Sequence, residues 1–452
     1  MENQQVLREE KVSKLLLKYS VPAILAMMVT SLYNTVDRAF IGSIPNVGAL
    51  AISGLGVTMP LFTIIGAFAV AISVGGSTNI SIKLGENDKE EAEKILGSTF
   101  ALELAVGILI TIGSIFLLDK VLYIFGASEH TIKYAREYMS VICFGAIFNL
   151  PGFSLNGAIR AEGNPKLAAK MMISTCILNL ILDPIFIFSF GFGIKGAAIG
   201  TVICQLVIFL WASYYFTKGK STLKLRAKNI KLDKKIVKAI IIIGLTPFAM
   251  ELAAGSIHLV TNKVLKVYGG DFAIGAMTAV TSILLLFLMP IFGLSQGMQT
   301  IIAYNYGAKQ YDRATKTLGL ALIVSTIILT LGLILVKLFP EVFVGIFTND
   351  KELMELAVKG IDLNLTTLPL IGIAILGPVY FQSVGKAKIS MFLTLLRQVI
   401  LLIPVIYIVP KFLGLNGVWI SQPISDIGAM IIVSMFLIKE FKPEKIENSC
   451  IN

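Results

Sequence analysis

Charged residues are scarce in this chain of 452 residues: Asp, Glu, Lys and Arg together make up 15%, against about a quarter in soluble globular domains. Hydrophobic residues make up 56% of the chain, and the mean hydropathy is +0.82. The apolar residues are grouped in long blocks rather than dispersed. This composition excludes a soluble globular domain and indicates that lipid is the main solvent.

Cysteine and histidine are also rare, with 4 and 2 residues. No CxxC occurs, which argues against a disulfide scaffold or structural zinc. The chain likewise lacks GxxxxGK[ST] and HExxH motifs and any extramembrane segment large enough to form a domain. We therefore expect no enzyme activity, receptor role or cofactor. The energy source is then an ion gradient, or a partner subunit that carries a motor.

Twelve apolar blocks are long enough to cross a bilayer, which takes about 20 residues. The predicted fold is an all-α membrane protein with spans at 17–41, 48–81, 95–118, 134–160, 166–189, 195–217, 236–266, 272–304, 314–338, 352–383, 386–410 and 415–438.

Basic residues predict the orientation of these spans. The net charge is +11, and the segment 218–238 alone holds nine Lys or Arg and one acid, Asp233. Because cytoplasmic loops are enriched in Lys and Arg, this segment is assigned to the cytoplasm, and counting spans outward puts both termini there too. The charged N-terminus is interpreted as a lead-in helix rather than a cleaved signal. The predicted location is the cell membrane, with no nucleic-acid partner.

The two halves of the chain resemble each other. The segment GGSTNISIKLGENDKEEAEKILG (75–97) aligns with GMQTIIAYNYGAKQYDRATKTLG (297–319), and Pro22 and Pro247 each open the first span of a half. We expect an N-lobe at 1–225 and a C-lobe at 226–452. Six spans per lobe make the repeats parallel, an arrangement that places a substrate cavity between lobes and works by rocking.

Several longer motifs resemble the multidrug and toxic compound extrusion (MATE) family, with the closest likeness to its MepA-like bacterial branch. They are GLGVTMPLFTIIGAF, GGSTNISIKLG, NGAIRAEGNPKLA, LNLILDPIFIFSFGFGIKGAAIGTVICQ and GLSQGMQTIIAYNYGAKQYDRA. The resemblance covers nearly the whole chain. It implies two six-helix bundles that work by alternating access and exchange drugs for Na⁺ or H⁺. Independently of the resemblance, we expect a monomer, and a cavity with a few acids and pliable apolar walls would favour lipophilic organic cations.

Ionisable groups at membrane depth are costly and therefore mark candidate functional sites. Asp37 and Asp183 lie late in two spans that run outward, Asn179 is one turn before Asp183, and Thr201 is at similar depth. Their oxygens suit Na⁺ as a metal ligand set, and two nearby carboxylates can also carry a proton. The resemblance adds that these positions match a cation site of the family. The alternative is that Asp37 pairs with Arg38 and Asp183 caps a helix end.

In the second half, Glu251 lies in mid-span after Pro247, and His258 follows on the same face. The pair is a candidate proton relay, and the resemblance matches Glu251 to a coupling glutamate. The alternative is that Glu251 pairs with Arg397. For His258 the favoured alternative is a satisfied polar group at a helix contact. We interpret Arg397 itself as structural, with Asp362 or Asp426 as its partner.

Residues that face substrate are predicted on weaker grounds. His258 and four N-lobe residues are candidates, because Met is pliable and a few polar groups would orient a ligand: Asn156, Met171, Met172 and Gln205. The alternative for each Met is core or lipid packing. A rival function for the whole chain is a flippase for lipids or lipid-linked oligosaccharides, which would favour a wide cationic cavity.

Overall fold

The computed structural model describes residues 2–45, 47–346 and 351–441. These residues are almost entirely helical, as predicted. The α-helices are α1 (Glu2–Glu9), α2 (Val12–Gly42), α3 (Gly48–Gly85), α4 (Lys89–Ile124), α5 (Ile132–Ala161), α6 (Pro165–Pro184), α7 (Gly193–Thr217), α8 (Lys234–Gly307), α9 (Tyr311–Leu338), α10 (Pro340–Gly345), α11 (Lys351–Asn364), α12 (Leu368–Ser383), α13 (Ala387–Leu395), α14 (Leu402–Ile408), α15 (Pro410–Leu413) and α16 (Leu415–Glu440). Two π-helices interrupt the spans, Ile185–Ser189 after α6 and Leu396–Leu401 between α13 and α14.

Within the described ranges, 11 helices are long and apolar enough to cross a membrane, or 12 if one bent pair forms a single span. That pair is α11 and α12, whose axes differ by 59°. The long α8 contains two spans, because Gly270 departs from helical geometry with φ 64° and ψ −161°. The predicted polytopic helical fold is therefore confirmed, and each predicted span coincides with one of these helices or pairs.

Short polar caps explain where several spans begin. Asp88 accepts a hydrogen bond from the Glu91 amide at 3.0 Å ahead of α4, and Asn164 accepts from the Leu167 amide at 3.3 Å ahead of α6. Asp233 caps α8 in the same way. Each cap satisfies backbone N–H groups that the first helical turn leaves free, so the loops between spans can be short.

The described residues form two compact units. Of the described residues, unit 1 contains those within 1–10, 21–248 and 303–309, and unit 2 contains those within 11–20, 249–302 and 310–441. Unit 1 has an apolar core between α3, α5 and α7, and unit 2 has cores around Trp419 and around Leu265. The α2 helix passes from unit 2 to unit 1 next to Pro22, and α8 passes from unit 1 to unit 2 next to Pro247.

Large apolar side chains remain exposed along the spans. On α4, for example, Leu109 is 67% exposed and Phe116 is 74% exposed. A soluble protein rarely leaves such a continuous apolar face in water. The helices are therefore built to place these side chains in lipid.

Two repeat-related glycines let helices touch backbone to backbone. A Cβ on Gly75 of α3 would lie 2.1 Å from the Ile240 carbonyl oxygen of α8, inside unit 1. A Cβ on Gly297 of α8 would lie 2.9 Å from the Ser20 amide nitrogen of α2, inside unit 2. The glycine motifs of the repeat therefore serve close helix packing, as small residues do in membrane bundles.

Candidate cation and substrate sites

The carboxyl groups of Asp37 on α2 and Asp183 on α6 face each other inside unit 1. Each carboxyl lies within hydrogen-bonding range of the other. Asp37 is 6% exposed and Asp183 is 0% exposed. Two carboxyl groups in contact away from water cannot both carry an unshared negative charge, so the contact needs a proton or a metal cation between them.

Asn179 contacts this carboxyl pair directly, and Thr201 follows Gly200, which packs against Asp183. The Asn179 amide donates from Nδ2 to Asp183 Oδ1 at 2.8 Å, which directs its own carbonyl oxygen away from that bond. Thr201 on α7 faces the Tyr33 hydroxyl. The four residues that the sequence predicts as a cation site are therefore brought together.

Several oxygens of this cluster are buried without a hydrogen-bond donor in the part of the chain that the structure describes. They are Asp37 Oδ1, Asn179 Oδ1 and Asp183 Oδ2, together with Thr201 Oγ1 apart from its contact with Tyr33. Unsatisfied buried oxygens are costly unless something fills the site. Hard oxygen ligands suit Na⁺, and the carboxyl pair also suits H⁺.

Gly200 on α7 makes room for Asp183. A Cβ at position 200 would lie 2.6 Å from Asp183 Oδ1 and 3.2 Å from Asn179 Nδ2. On the other side, Pro184 and the π-helix at Ile185–Ser189 change the helical repeat directly after Asp183. Such π-helices are common at functional sites.

The alternative pairing of Asp37 with Arg38 is not what the described residues form. Arg38 is exposed and directs Nη2 toward Met59 Sδ at 4.0 Å. No ion pair joins Asp37 to Arg38 among the residues that the structure covers, so Arg38 acts on the carboxyl only through its charge.

Unit 2 contains a chamber of about 550 Å³. Glu251 of α8 lines it, together with Met250, Met277, Arg397 and Gln422. Glu251 is half-buried and makes no ion pair with Arg397 within the described ranges. The chamber therefore combines one unpaired acid with polar amides and pliable apolar walls.

Arg397 is instead paired with Asp426 of α16. The Nε–Oδ1 distance is 3.7 Å, and the Asp426 side chain is 0% exposed. Gln422 Nε2 donates to Asp426 Oδ1 at 3.0 Å, and Thr367 donates to Oδ2 at 3.4 Å. The other candidate partner, Asp362, is exposed and pairs with Lys337. Buried Arg397 Nη1 has no hydrogen-bond acceptor in the described residues.

The predicted substrate residues of unit 1 have mixed surroundings. Asn156 donates to the Ala168 carbonyl at 3.0 Å and accepts from Arg160 at 2.7 Å, which ties α5 to α6. Met171 is fully buried, whereas Met172 and Gln205 are half-buried. Buried Gln205 Oε1 has no donor among the described residues. The His258 side chain lies outside the described residues. Whether these five bind substrate stays a prediction.

Sequence reasoning missed Tyr33, Tyr138 and Gly200 around the cation site. Both tyrosines are close enough to act electrostatically on Asp37 and Asp183. An aromatic hydroxyl inside an apolar span was the available signal for Tyr33. Gly200 lies in the repeat motif GIKGAAIGT, but its contact with a carboxylate depends on how α6 and α7 pack.

One catalytic pattern, GLSQG at 293–297, is present in the chain. It lies inside α8, and the Ser295 hydroxyl donates to the Phe292 carbonyl at 3.1 Å. A nucleophile elbow needs a sharp turn between a strand and a helix. The pattern is therefore part of a membrane helix.

Eleven or twelve helical spans, an internal repeat, and buried carboxyl groups in both units define the class of a polytopic α-helical secondary transporter. A family model described as MatE matches residues 22–185 and 247–408, once in each half. The chain belongs to this family of MATE transporters, which confirms both the resemblance and the repeat.

Relatives and solved structures agree with this assignment. The chain is 29% identical over 445 residues to "Multidrug export protein MepA" of Staphylococcus aureus strain MSSA476, covering 96% of each. It is similar to a structure described as an outward-facing multidrug resistance MATE family transporter of the MOP superfamily, with TM-score 0.92, 26% identity and 99% of each chain covered. A MOP superfamily transporter from Pyrococcus furiosus, described as having a binding pocket of reverse polarity that suggests a different function, matches with TM-score 0.90, 26% identity and 96% and 97% coverage.

Proposed function

We propose that this protein is a secondary active antiporter that exports small organic, often cationic compounds in exchange for Na⁺ or H⁺. The observation that carries the proposal is the buried Asp37–Asp183 carboxyl pair with its unsatisfied oxygens. Such a cluster gains most from a small cation and loses that gain when the cation leaves. Occupancy can therefore favour one arrangement of the spans over another.

The chamber of unit 2 supports the substrate class. Glu251 provides a negative charge, and Met250 and Met277 provide apolar walls that adapt to different shapes. The relative named as a multidrug export protein supports the same class. Asn156, Met171, Met172, Gln205 and His258 remain further candidates for contacting substrate.

The proposed cycle uses two lobes, 1–225 and 226–452, which the family model matches once each. Substrate enters from the cytoplasm or the membrane, an external cation binds Asp37, Asn179, Asp183 and Thr201, and substrate leaves to the outside. Pro22 lets α2 bend, since proline removes a backbone hydrogen bond inside a helix. We assign both termini to the cytoplasm. The functional unit is proposed to be a monomer.

Proteoliposomes test this function directly. Purified protein is reconstituted into liposomes that are loaded with a fluorescent cationic dye. A Na⁺ gradient or a pH gradient is then imposed, one at a time. We expect an inward gradient of the coupling cation, Na⁺ or H⁺, to drive dye efflux, because antiport links binding of that cation to release of the dye. Without a gradient we expect no efflux. Efflux that is equal with and without both gradients would contradict antiport.

The rival function is a flippase for an anionic lipid or lipid-linked sugar, and Arg397 in the chamber is the observation that favours it. Adding a lipid pyrophosphate or a lipophilic cation as competitor separates the two functions. The antiporter proposal expects the cation to compete with dye and the pyrophosphate to leave the dye rate unchanged. The converse result would favour the flippase.

A further inference from the structure

The basic segment between α7 and α8, residues 218–233, is hydrogen-bonded to a buried glutamate just after α5. Glu162 is 1% exposed. It accepts a hydrogen bond from the Ser221 hydroxyl at 2.6 Å, from the Leu223 amide at 3.4 Å and from the Tyr215 hydroxyl. The first part of the segment is therefore held in place rather than left as a free linker.

A second buried glutamate fastens the middle of the segment. Glu93 of α4 accepts from the Lys224 amide at 3.1 Å and pairs with Arg226, with 3.0 Å between Nε and Oε2. Ser98 of the same helix donates to the Lys231 carbonyl at 2.9 Å. The backbone that carries the lysines is thereby ordered against the beginning of α4.

The segment and α4 together enclose a basic pocket, lined by Lys89, Glu90, Glu93, Lys94, Arg226, Lys228, Asn229 and Lys231. Both acids already have partners: Glu93 pairs with Arg226, and Glu90 with Lys94 at 3.3 Å. Among the described residues, Lys89, Lys228 and Lys231 have no acidic partner. Three positive charges therefore remain for a ligand.

Exposed apolar side chains alternate with these lysines. Ile230 is 37% exposed and Leu232 is 54% exposed, on either side of Lys231. Lys89 begins α4, whose following residues form a membrane span. A soluble anion would make no use of apolar side chains, whereas a lipid offers a charged headgroup beside acyl chains.

We propose that this basic pocket binds the headgroup of an anionic phospholipid of the adjacent leaflet, with Lys89, Lys228 and Lys231 at the phosphate and Ile230 and Leu232 against the acyl chains. Each lysine near an anionic surface strengthens binding by about fivefold. The fixed backbone reduces the ordering cost that a flexible basic linker would incur. This binding goes beyond transport, and its test does not depend on efflux.

The test compares lipid retention by the full chain in native mass spectrometry and in thermal unfolding. Phosphatidylglycerol is the anionic probe, phosphatidylcholine the zwitterionic one and glycerol phosphate the soluble one. The pocket variant is K89Q/K228Q/K231Q. The matched control is K218Q/K220Q/K235Q, which removes the same charge from exposed lysines outside the pocket.

We expect the pocket variant to bind phosphatidylglycerol at least about tenfold more weakly than wild type, and the control to stay close to wild type. Phosphatidylcholine and glycerol phosphate should not raise the unfolding temperature. Equal losses in both variants would reduce the effect to general surface charge and overturn the proposal. An unchanged pocket variant, or equal stabilisation by glycerol phosphate, would overturn it as well.

Discussion

In both repeats the fifth span contains a π-helix, but the charged residue there has opposite sign. In unit 1 Asp183 directly precedes Pro184 and the π-helix Ile185–Ser189. In unit 2 Arg397 lies within the π-helix Leu396–Leu401. The same structural device therefore positions an acid in one unit and a base in the other.

The charged residue beside each π-helix also has a different kind of neighbour in the two units. In unit 1 the neighbour of Asp183 is a second acid, Asp37, and neither carboxyl has a basic ion-pair partner among the described residues. In unit 2 the neighbour of Arg397 is Asp426, so that pair is neutral without any ligand. A duplicated fold can thus leave the acid beside one π-helix without a cationic partner and neutralise the base within the other π-helix by an ion pair.

The largest expected effect breaks the neutral pair of unit 2. R397M leaves the Asp426 carboxylate buried without its cation and should lower the free energy of unfolding by about 3–5 kcal/mol. The midpoint of thermal unfolding in detergent measures this. R136M removes one partner of the exposed Arg136–Asp119 pair and should cost about 1 kcal/mol or less. Equal losses in both variants would remove the distinction, and R397M/D426L should recover part of the stability.

The next effect breaks the acidic pair of unit 1. D37N/D183N should lower gradient-driven efflux by about 5- to 150-fold, the size of a typical coupling free energy, with a smaller loss of stability than R397M. The initial rate in proteoliposomes is the readout. D119N, which changes an exposed acid of the same unit, is the control. Full gradient-dependent efflux in D37N/D183N would show that coupling lies elsewhere.

A smaller change sharpens the geometry of unit 1. In G200A the new Cβ must displace Asp183, at a cost of about 1–3 kcal/mol in the packed site. Efflux should become several-fold less sensitive to the coupling cation. G56A is the matched control, because a Cβ there meets nothing within 4 Å. The assignment of Gly200 fails if both variants respond to the cation as wild type does.

The smallest expected effect concerns pH and lies outside the spans. Burial raises the pKa of Glu162, against the opposing hydrogen bonds from Ser221 and Tyr215. Because the pKa of Glu162 is raised in the folded state, its contribution to stability is fully present below the pKa that a glutamate has in the unfolded chain, about 4.3. That contribution is lost as pH rises through the pKa of Glu162 in the folded protein.

E162Q should remove this loss, so its unfolding temperature should fall less than that of wild type, by a few degrees, as pH rises through that window. E129Q, at an acid of an exposed turn, provides the control. Parallel curves for wild type and E162Q would contradict a role for Glu162 in the pH response.

Hydropathy alone predicted the spans, because about 20 apolar residues must be helical in lipid. It could not predict the bend between α11 and α12 or the two π-helices, which depend on packing against neighbouring helices. The four unit 1 residues were predicted together because intramembrane acids are rare. Tyr138 and Gly200 were not, since neither side-chain type marks a site without its neighbours. Arg397 was predicted to be structural, with Asp362 or Asp426 as its partner. In the structure it pairs with Asp426, which is buried.

Infrared spectroscopy of the purified protein at neutral pH without Na⁺ tests the central claim most directly. If Asp37 and Asp183 share one proton, wild type has a protonated-carboxyl band that D37N/D183N lacks, and alkaline pH or a bound coupling cation removes it. The same band in both proteins, or both carboxylates ionised without any cation, would contradict the account.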